Sequence, residues 1–323
     1  MTEAKTILGF GETLWDLFPS GPVLGGAPFN LAWRLHERGH RAAIATALGR
    51  DGLGDQAFDA MTRLGVDTRF VERDAIRRTG MVEVRLDEEH NPEFDILPDA
   101  AYEAIEPTEV LLDYARSADC VAFGTLAQRG EVSRETLRQV LDAAGEAAAF
   151  YDINLRPNCW TEAIVTESLE RADLVKLNVD EAGTLQELYG FEATELGDLC
   201  REIADRWSLS VCLVTMGPRG AFGYSTKPTE GPNPVYVPGF AVEAVDTTGS
   251  GDAFAAGFLH RWLTGAMLGE CVRYGNALGA AVATKEGATA PVSHEEIETL
   301  LRGGPPAIDR EGLDAFLGGE EEG

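Results

Sequence analysis

The sequence predicts an α/β fold in which a largely parallel sheet is covered by helices. Two observations carry this expectation. Short apolar runs alternate with amphipathic helical segments from the N-terminus to about residue 300, and that alternation is the pattern of repeated strand-helix units. With 323 residues, 44% of them hydrophobic, the chain also has the material for one large core. Sheets of this class collect their ligands at the carboxyl ends of the strands.

Taken in order, the first strand is expected at Thr6–Phe10. The polar stretch before it lacks the basic and apolar regions of a signal peptide, so the protein is expected in the cytoplasm. Trp15–Val23 is short, apolar and interrupted by proline and glycine, and it breaks the alternation. A helix is expected at Phe29–Arg38, a strand at Ala42–Leu48 and a helix at Gly54–Leu64. Arg78–Leu97 alternates Met81, Val82, Val84 and Leu86 with Phe94, Ile96 and Leu97 beyond an Asp-Glu-Glu-His-Asn-Pro turn. That reads as a β-hairpin, either an edge ornament or a lid over the site. Strands at Cys120–Phe123, Ala148–Ile153, Leu174–Leu177 and Val211–Thr215 then interleave with helices at Arg134–Ala144, Glu181–Tyr189 and Leu196–Trp207. Past Arg302 the chain turns acidic and glycine-rich, and residues 304–323 are expected to be a flexible tail.

Composition removes several classes of function. A net charge of −27, from 54 acidic against 27 basic residues, opposes nucleic-acid binding. No stretch approaches the roughly 20 apolar residues of a membrane span. Cys120, Cys159, Cys200, Cys212 and Cys271 form no CxxC pair, and read as small buried residues rather than a disulfide framework or zinc site. His36, His40, His90, His260 and His294 show no ligand spacing and read as surface or helix residues. The only lysines are Lys5, Lys176, Lys227 and Lys285. An acidic, lysine-poor surface is the composition expected in a salt-rich cytoplasm, where salt screens self-repulsion.

The strongest chemical signal is Asp246-Thr-Thr-Gly-Ser-Gly-Asp252. Two glycines around a serine at a helix start leave backbone N–H groups to surround an anion, and the helix dipole adds partial positive charge there. Asp252 falls in the first turn, where a carboxylate takes a proton from a nearby hydroxyl. Anion cradle plus base is what phosphoryl transfer to an alcohol needs. The small residues Ala253, Ala255, Ala256 and Gly257 permit close packing behind it. The usual nucleotide motifs are missing: there is no G-x-x-x-x-G-K-[ST], no protein-kinase set, and Gly9-Phe-Gly11-Glu-Thr-Leu14 has leucine where a dinucleotide fingerprint needs glycine. Asp152, Asn154 and Arg156 are expected to share one face of a strand end.

In combination these motifs resemble the ribokinase-like (PfkB) carbohydrate kinases, and among them the fructokinase branch, over about residues 6–300. The resemblance is carried, in order, by Gly11-Glu-x-Leu-Trp-Asp16, Gly25-Gly-Ala-Pro-Phe-Asn30, Gly49-Arg-Asp-Gly-x-Gly54 and Asp152-x-Asn-x-Arg156. Asn178-x-x-Glu181, Thr215-x-Gly-x-x-Gly220 and Asp246–Asp252 complete it. It implies a Rossmann-like, mostly parallel sheet flanked by helices in a kinase domain at 1–303, with a small β-sheet lid from about 12–24 and 78–98. The implied activity is ATP-dependent phosphorylation of a ketose primary hydroxyl, fructose to fructose 6-phosphate. Ribokinase and 2-keto-3-deoxygluconate kinase are the rival activities, and an inactive sugar-binding or scaffolding relative is the reading from another class.

Residue by residue, the resemblance makes Asp252 the base and Gly249, Ser250 and Gly251 the anion hole. Asp16 would chelate adjacent sugar hydroxyls, Gly25 and Gly26 would let the chain approach the sugar beside Asn30, and Arg156 would pair with a phosphate or sugar oxygen. Asn178 and Glu181 would organise Mg²⁺ and its waters, while Thr215, Gly217 and Gly220 border the nucleotide and Asn276 matches the adenine-side helix. Asp246, Thr248 and the loop Ala283–Ala288 match the region of a monovalent cation, usually K⁺. The implied partners are the sugar and ATP, with a homodimer joined through the lid.

Overall fold

A computed structural model describes residues 3–18, 21–86, 92–227 and 233–303. The hairpin turn at 87–91, with His90, and the tail over 304–323 lie outside them. The first half of the chain runs β1 (Thr6–Phe10), β2 (Leu14–Phe18), β3 (Gly21–Gly25), α1 (Ala27–Glu37), β4 (Arg41–Gly49), α2 (Gly52–Leu64), β5 (Val71–Asp74), β6 (Gly80–Leu86) and β7 (Pro92–Ile96). It continues through α3 (Glu109–Arg116), β8 (Cys120–Phe123), α4 (Glu131–Ala144), β9 (Ala148–Asp152), α5 (Glu162–Arg171) and β10 (Leu174–Asn178). The remainder is α6 (Val179–Tyr189), α7 (Leu196–Trp207), β11 (Val211–Thr215), β12 (Ala221–Ser225), β13 (Val235–Val237), α8 (Ser250–Trp262), α9 (Leu268–Ala283) and α10 (His294–Gly303).

A nine-stranded sheet has the order β13-β12-β11-β10-β9-β8-β1-β4-β5. Its strands from β11 to β5 are mutually parallel, and β12 and β13 add an antiparallel edge. The order reverses at β1, which has β4 on one side and β8 on the other. In open α/β sheets that reversal opens the crevice where ligands bind.

Both faces of the sheet are buried, which is why its strands read as unbroken apolar runs. Leu8, Val121, Val175 and Val214 point into a cluster shared with helices α3 to α7. Ile7, Ala122, Leu174 and Leu213 point into a second cluster with α1, α2, α8 and α9. Helices α8 and α9 pack closely, since a Cβ at Gly257 would lie 3.0 Å from the Gly275 backbone.

The hairpin of the sequence reading is β6 and β7, paired from Val82–Ile96 to Leu86–Pro92. It joins β2 and β3, the segment that broke the alternation, in a separate four-stranded sheet of order β3-β2-β6-β7. Leu14, Asp16 and Phe18, alternate residues of β2, all face the site cavity together with Val82 and Ile96. The hairpin is therefore a lid.

The structure adds elements that periodicity missed: α3, α5, α9 and α10, and the strands β5, β12 and β13. Helices α3 and α5 are short, of 8 and 10 residues, so each shows fewer than about three turns of pattern. The histidine reading needs correction at His40, which is neither exposed nor in a helix, whereas its neighbour His260 does lie on α8. His40 is 5% exposed, accepts the Lys5 amide at Nδ1 (3.1 Å), and lies 2.9 Å from His260 Nδ1 through its own Nε2. All five cysteines are free and buried.

Candidate active site

Four of the seven motifs, at 11–16, 25–30, 152–156 and 246–252, meet at the carboxyl ends of the parallel strands under the lid, whereas those at 49–54, 178–181 and 215–220 contribute no residue to the cavity there. A cavity of about 370 Å³ is lined there by Glu12 just past β1, Asp16 from the lid, Asn30 from α1, Arg156 past β9, and Gly249 and Asp252 at the start of α8. Two larger hollows, of about 620 and 780 Å³, open elsewhere, the first beside the strand starts at Thr6 and Arg41. Volume alone does not choose the site; the convergence of carboxylates, a guanidinium and a helix N-terminus does.

Gly249 caps α8 in the left-handed region (φ 75°), which costs an L side chain about 1 kcal/mol or more. A Cβ there would also fall 2.5 Å from Ala288 Cβ. Among the described residues, the amides of Gly249, Gly251 and Asp252 donate to no protein acceptor. The Ser250 amide does, to Thr247 O at 3.1 Å. This narrows the expected anion hole: the tight turn consumes the serine N–H and leaves those on either side. Asp246 braces the same turn, its carboxylate accepting the amides of Thr248 and Gly287, both at 2.9 Å. The buried Arg34 on α1 donates to Ala288 O (2.6 Å) and so steadies the wall behind Gly249.

Asp252 is joined to Asn30, 222 residues away in sequence, by a 2.8 Å hydrogen bond from Asn30 Nδ2. Burial pushes its carboxyl up to about 6, and nearby Asp152 adds to the rise, while the Asn30 bond and the cations Lys176 and Arg156 restrain it. Burial carries Asp16 to about 6 as well, against the attraction of Arg156. Glu12, 5% exposed, is raised by burial to about 7. Three carboxyl groups thus face one arginine in a cavity that removes them from water. Among the described residues, Asn30 Oδ1 and Glu12 Oε2 are buried with no hydrogen-bond partner, and buried polar atoms left so call for a ligand that satisfies them. A polyhydroxy ligand would do so.

Gly25 stands where a Cβ would touch Asp16 Oδ2 at 2.9 Å, and Gly26 (φ 117°) where one would strike Glu12 O at 2.3 Å. Gly26 also caps α1. One expectation is corrected. Asp152, Asn154 and Arg156 do not share a strand face, because β9 ends at Asp152 and Asn154 turns into the left-handed region (φ 45°). Asn154 and Arg156 line the cavity, whereas Asp152 pairs beneath it with Lys176 (2.9 Å).

Asn178 and Glu181 form a reciprocal cap on α6: Asn178 Oδ1 accepts the Glu181 amide and Glu181 Oε2 accepts the Asn178 amide, both at 2.8 Å. Glu181 Oε1 also takes the Leu155 amide (3.0 Å), fastening the loop that presents Arg156. Thr215 ends β11, and Gly217 and Gly220 shape the hairpin turn into β12. Asn276, on α9, donates its amide to Val237 O (2.9 Å) and Pro238 O (3.2 Å), holding the segment after β13. Among the described residues no group of three His, Cys, Asp or Glu side chains is placed to hold a metal ion, and no helix is long and apolar enough to cross a membrane.

Sequence reasoning passed over Lys176 and Glu12 as site residues. A signal for Lys176 was present: it is the one charge inside the apolar strand Leu174–Leu177, and period-two alternation puts it on the same side as Leu174, the α8 side.

A sequence model of the pfkB family carbohydrate kinases matches residues 22–295. The chain belongs to that family. Among pfkB relatives, a probable fructokinase-4 from Arabidopsis thaliana is 30% identical over 331 aligned positions, covering 93% of this chain and 98% of the relative. A crystal structure of fructokinase with bound ATP from Xylella fastidiosa superposes with a TM-score of 0.79 at 25% identity, covering 93% and 99% of the two chains. Fructokinase from Vibrio cholerae O395, in a form with fructose, ADP and calcium ion bound, gives 0.77 at 25% identity over 92% and 99%. This pfkB chain is an α/β carbohydrate kinase with a ribokinase-like fold.

Proposed function

We propose that the protein is a fructokinase that transfers the γ-phosphoryl group of ATP to the primary hydroxyl of fructose, forming fructose 6-phosphate and ADP. The observation that carries this reading is Asp252, half-buried in the first turn of α8 beside backbone amides that meet no acceptor among the described residues, and facing the same cavity as Asp16. Asp16 and Asn30 hold the sugar hydroxyls, and Gly25 and Gly26 keep the space open for them. Asp252 takes the proton of the attacking hydroxyl. That oxygen bonds to the γ-phosphorus as the bond to the β-phosphate oxygen breaks, and the amides of Gly249 and Gly251 stabilise the charge on the phosphoryl oxygens. Arg156 adds a cation at the cavity wall, and Thr215, Gly217, Gly220 and Asn276 border the nucleotide.

Magnesium fits this chain as an ion held mainly by phosphates and water. The carboxylate of Glu181 is committed to backbone amides and keeps only spare lone pairs for such waters, with Asn178 beside it. When bound, the ion supplies charge neutralisation on the triphosphate. We assign K⁺ to the turn of Asp246 and Thr248 and the loop 283–288, where carbonyl oxygens would ligate it. Activity that is the same in KCl and in a choline salt of equal strength would remove that assignment. The acidic surface suits a salt-rich cytoplasm, so thermal stability should rise from low to molar KCl. A homodimer through the lid is expected, and light scattering that finds only monomer would dispose of it.

The deciding experiment is ATP consumption over fructose, ribose and 2-keto-3-deoxygluconate. Fructose should give the highest kcat/KM, and no turnover on any sugar would point to an inactive sugar-binding relative. Asp16→Asn should raise KM for fructose at least ~10-fold with a smaller change in kcat, since the lost contact to the diol exists before and during reaction. An unchanged KM would remove Asp16 from the sugar site.

A further inference from the structure

Lys176 and Asp152 occupy matched positions on adjacent parallel strands, β10 and β9. They are 3% and 5% exposed, with Nζ 2.9 Å from Oδ1 and 3.3 Å from Oδ2. Both side chains point to the face of the sheet that carries α8. A Cβ added at Gly251 would lie 3.3 Å from Lys176 Nζ, so the ammonium rests against the backbone just before Asp252. Neither residue lines the sugar cavity. A buried ion pair is seldom the most stable way to fill such a space, because desolvation offsets much of the attraction. Its placement under a reacting carboxylate gives it an electrostatic consequence instead.

We propose that Lys176 and Asp152 are positioning residues for phosphoryl transfer: the buried pair beneath Gly251 sets the pH at which Asp252 becomes able to accept the sugar proton. This rests on the reading of Asp252 as the base. Lys176 draws Asp252 toward its ionised form and Asp152 opposes it. Lys176 itself stays charged: burial opposes its charge, but the carboxylates of Asp152, Glu181 and Asp252 outweigh that and hold its proton affinity above the ordinary value. The other charges facing Asp252 are Arg156 after β9, Glu12 after β1, Asp16 on β2 and Arg34 on α1. Of these, Arg156, Glu12 and Asp16 line the cavity and change surroundings when substrate enters. The pair lies below and keeps its own.

The test is kcat/KM for fructose at saturating MgATP from about pH 5 to about pH 8.5, which reports the essential base of the MgATP-bound enzyme before fructose binds. Lys176→Met should move the acid limb to higher pH by about one unit, and Asp152→Asn should move it to lower pH by a similar amount. The double variant Asp152→Asn/Lys176→Met leaves no unpaired buried charge, so it folds where a single variant is unstable, and its limb should lie near that of the wild type. A limb that stays put in the folded single variants, or shifts the same way in both, or a double variant displaced from wild type, overturns the proposal. Asp252→Asn, assayed alongside, separates the two readings. If it still turns over, the base assignment is wrong; if it is inactive while the limb is unmoved, only the role of the pair is wrong.

Discussion

Asp252→Asn lowers kcat for fructose by at least ~10²-fold while leaving fructose binding largely intact, because the amide keeps the shape of the carboxylate but cannot accept the proton. The same substitution stabilises the protein at alkaline pH. The Asp252 carboxyl is raised by burial from its ordinary 3.8 to about 6, so the folded protein prefers it protonated. The stability this confers is complete below the ordinary value and is lost as pH rises through about 6. Asparagine stays neutral throughout and still accepts the Asn30 bond through its oxygen. Above pH ~7 the variant should therefore be more stable than wild type by up to about 2–3 kcal/mol, and the gain should disappear near pH ~4. Denaturant melts at both pH values, with single-turnover assays, measure both effects. Turnover near the wild-type rate would remove Asp252 as base, and a gain independent of pH would show that its charge is not the cause.

Gly249→Ala is expected to strike the proposed anion hole directly. The residue sits at φ 75°, and the new Cβ would lie 2.5 Å from Ala288 Cβ and 2.9 Å from its Cα. Backbone strain of about 1–3 kcal/mol adds to that overlap. The turn that aims the amides of Gly249 and Gly251 has to shift, and displacing one such donor lowers kcat by about 10²–10³-fold. KM for fructose should change far less, since Asp16 and Asn30 are untouched. Ala288→Gly removes the nearer atom of the clash, so adding it to the Gly249→Ala variant should return part of the lost kcat. No recovery would mean that φ strain alone causes the defect.

Much of the fold was legible because its signals are local. β1, β8, β11 and α7 begin and end at the residues that periodicity indicates, and the lid hairpin was readable from the alternation of Met81 to Leu86 and Phe94 to Leu97. What it covers was not readable, because pairing of β2 with β6 joins segments that only the folded sheet brings together. Asp252, Asp16, Asn30 and Arg156 were each visible as motif members, yet their meeting in one cavity depends on strand order. Asn154 shows the opposite case: alternation past Asp152 projected a strand, and a left-handed turn redirects it.

The sequence by itself determined the family, the strand-helix order, the glycines of the α8 turn and the presence of a carboxylate in its first turn. These depend on neighbours a few residues apart, whose geometry is set by backbone sterics and side-chain period. Only the tertiary structure decided which charges face one another: Asn30 on Asp252, Lys176 on Asp152 beneath Gly251, and His40 on His260. Those pairings, and the proton affinities they produce, arise from desolvation and Coulomb interaction between residues brought together only when the sheet assembles, and no local pattern encodes that distance.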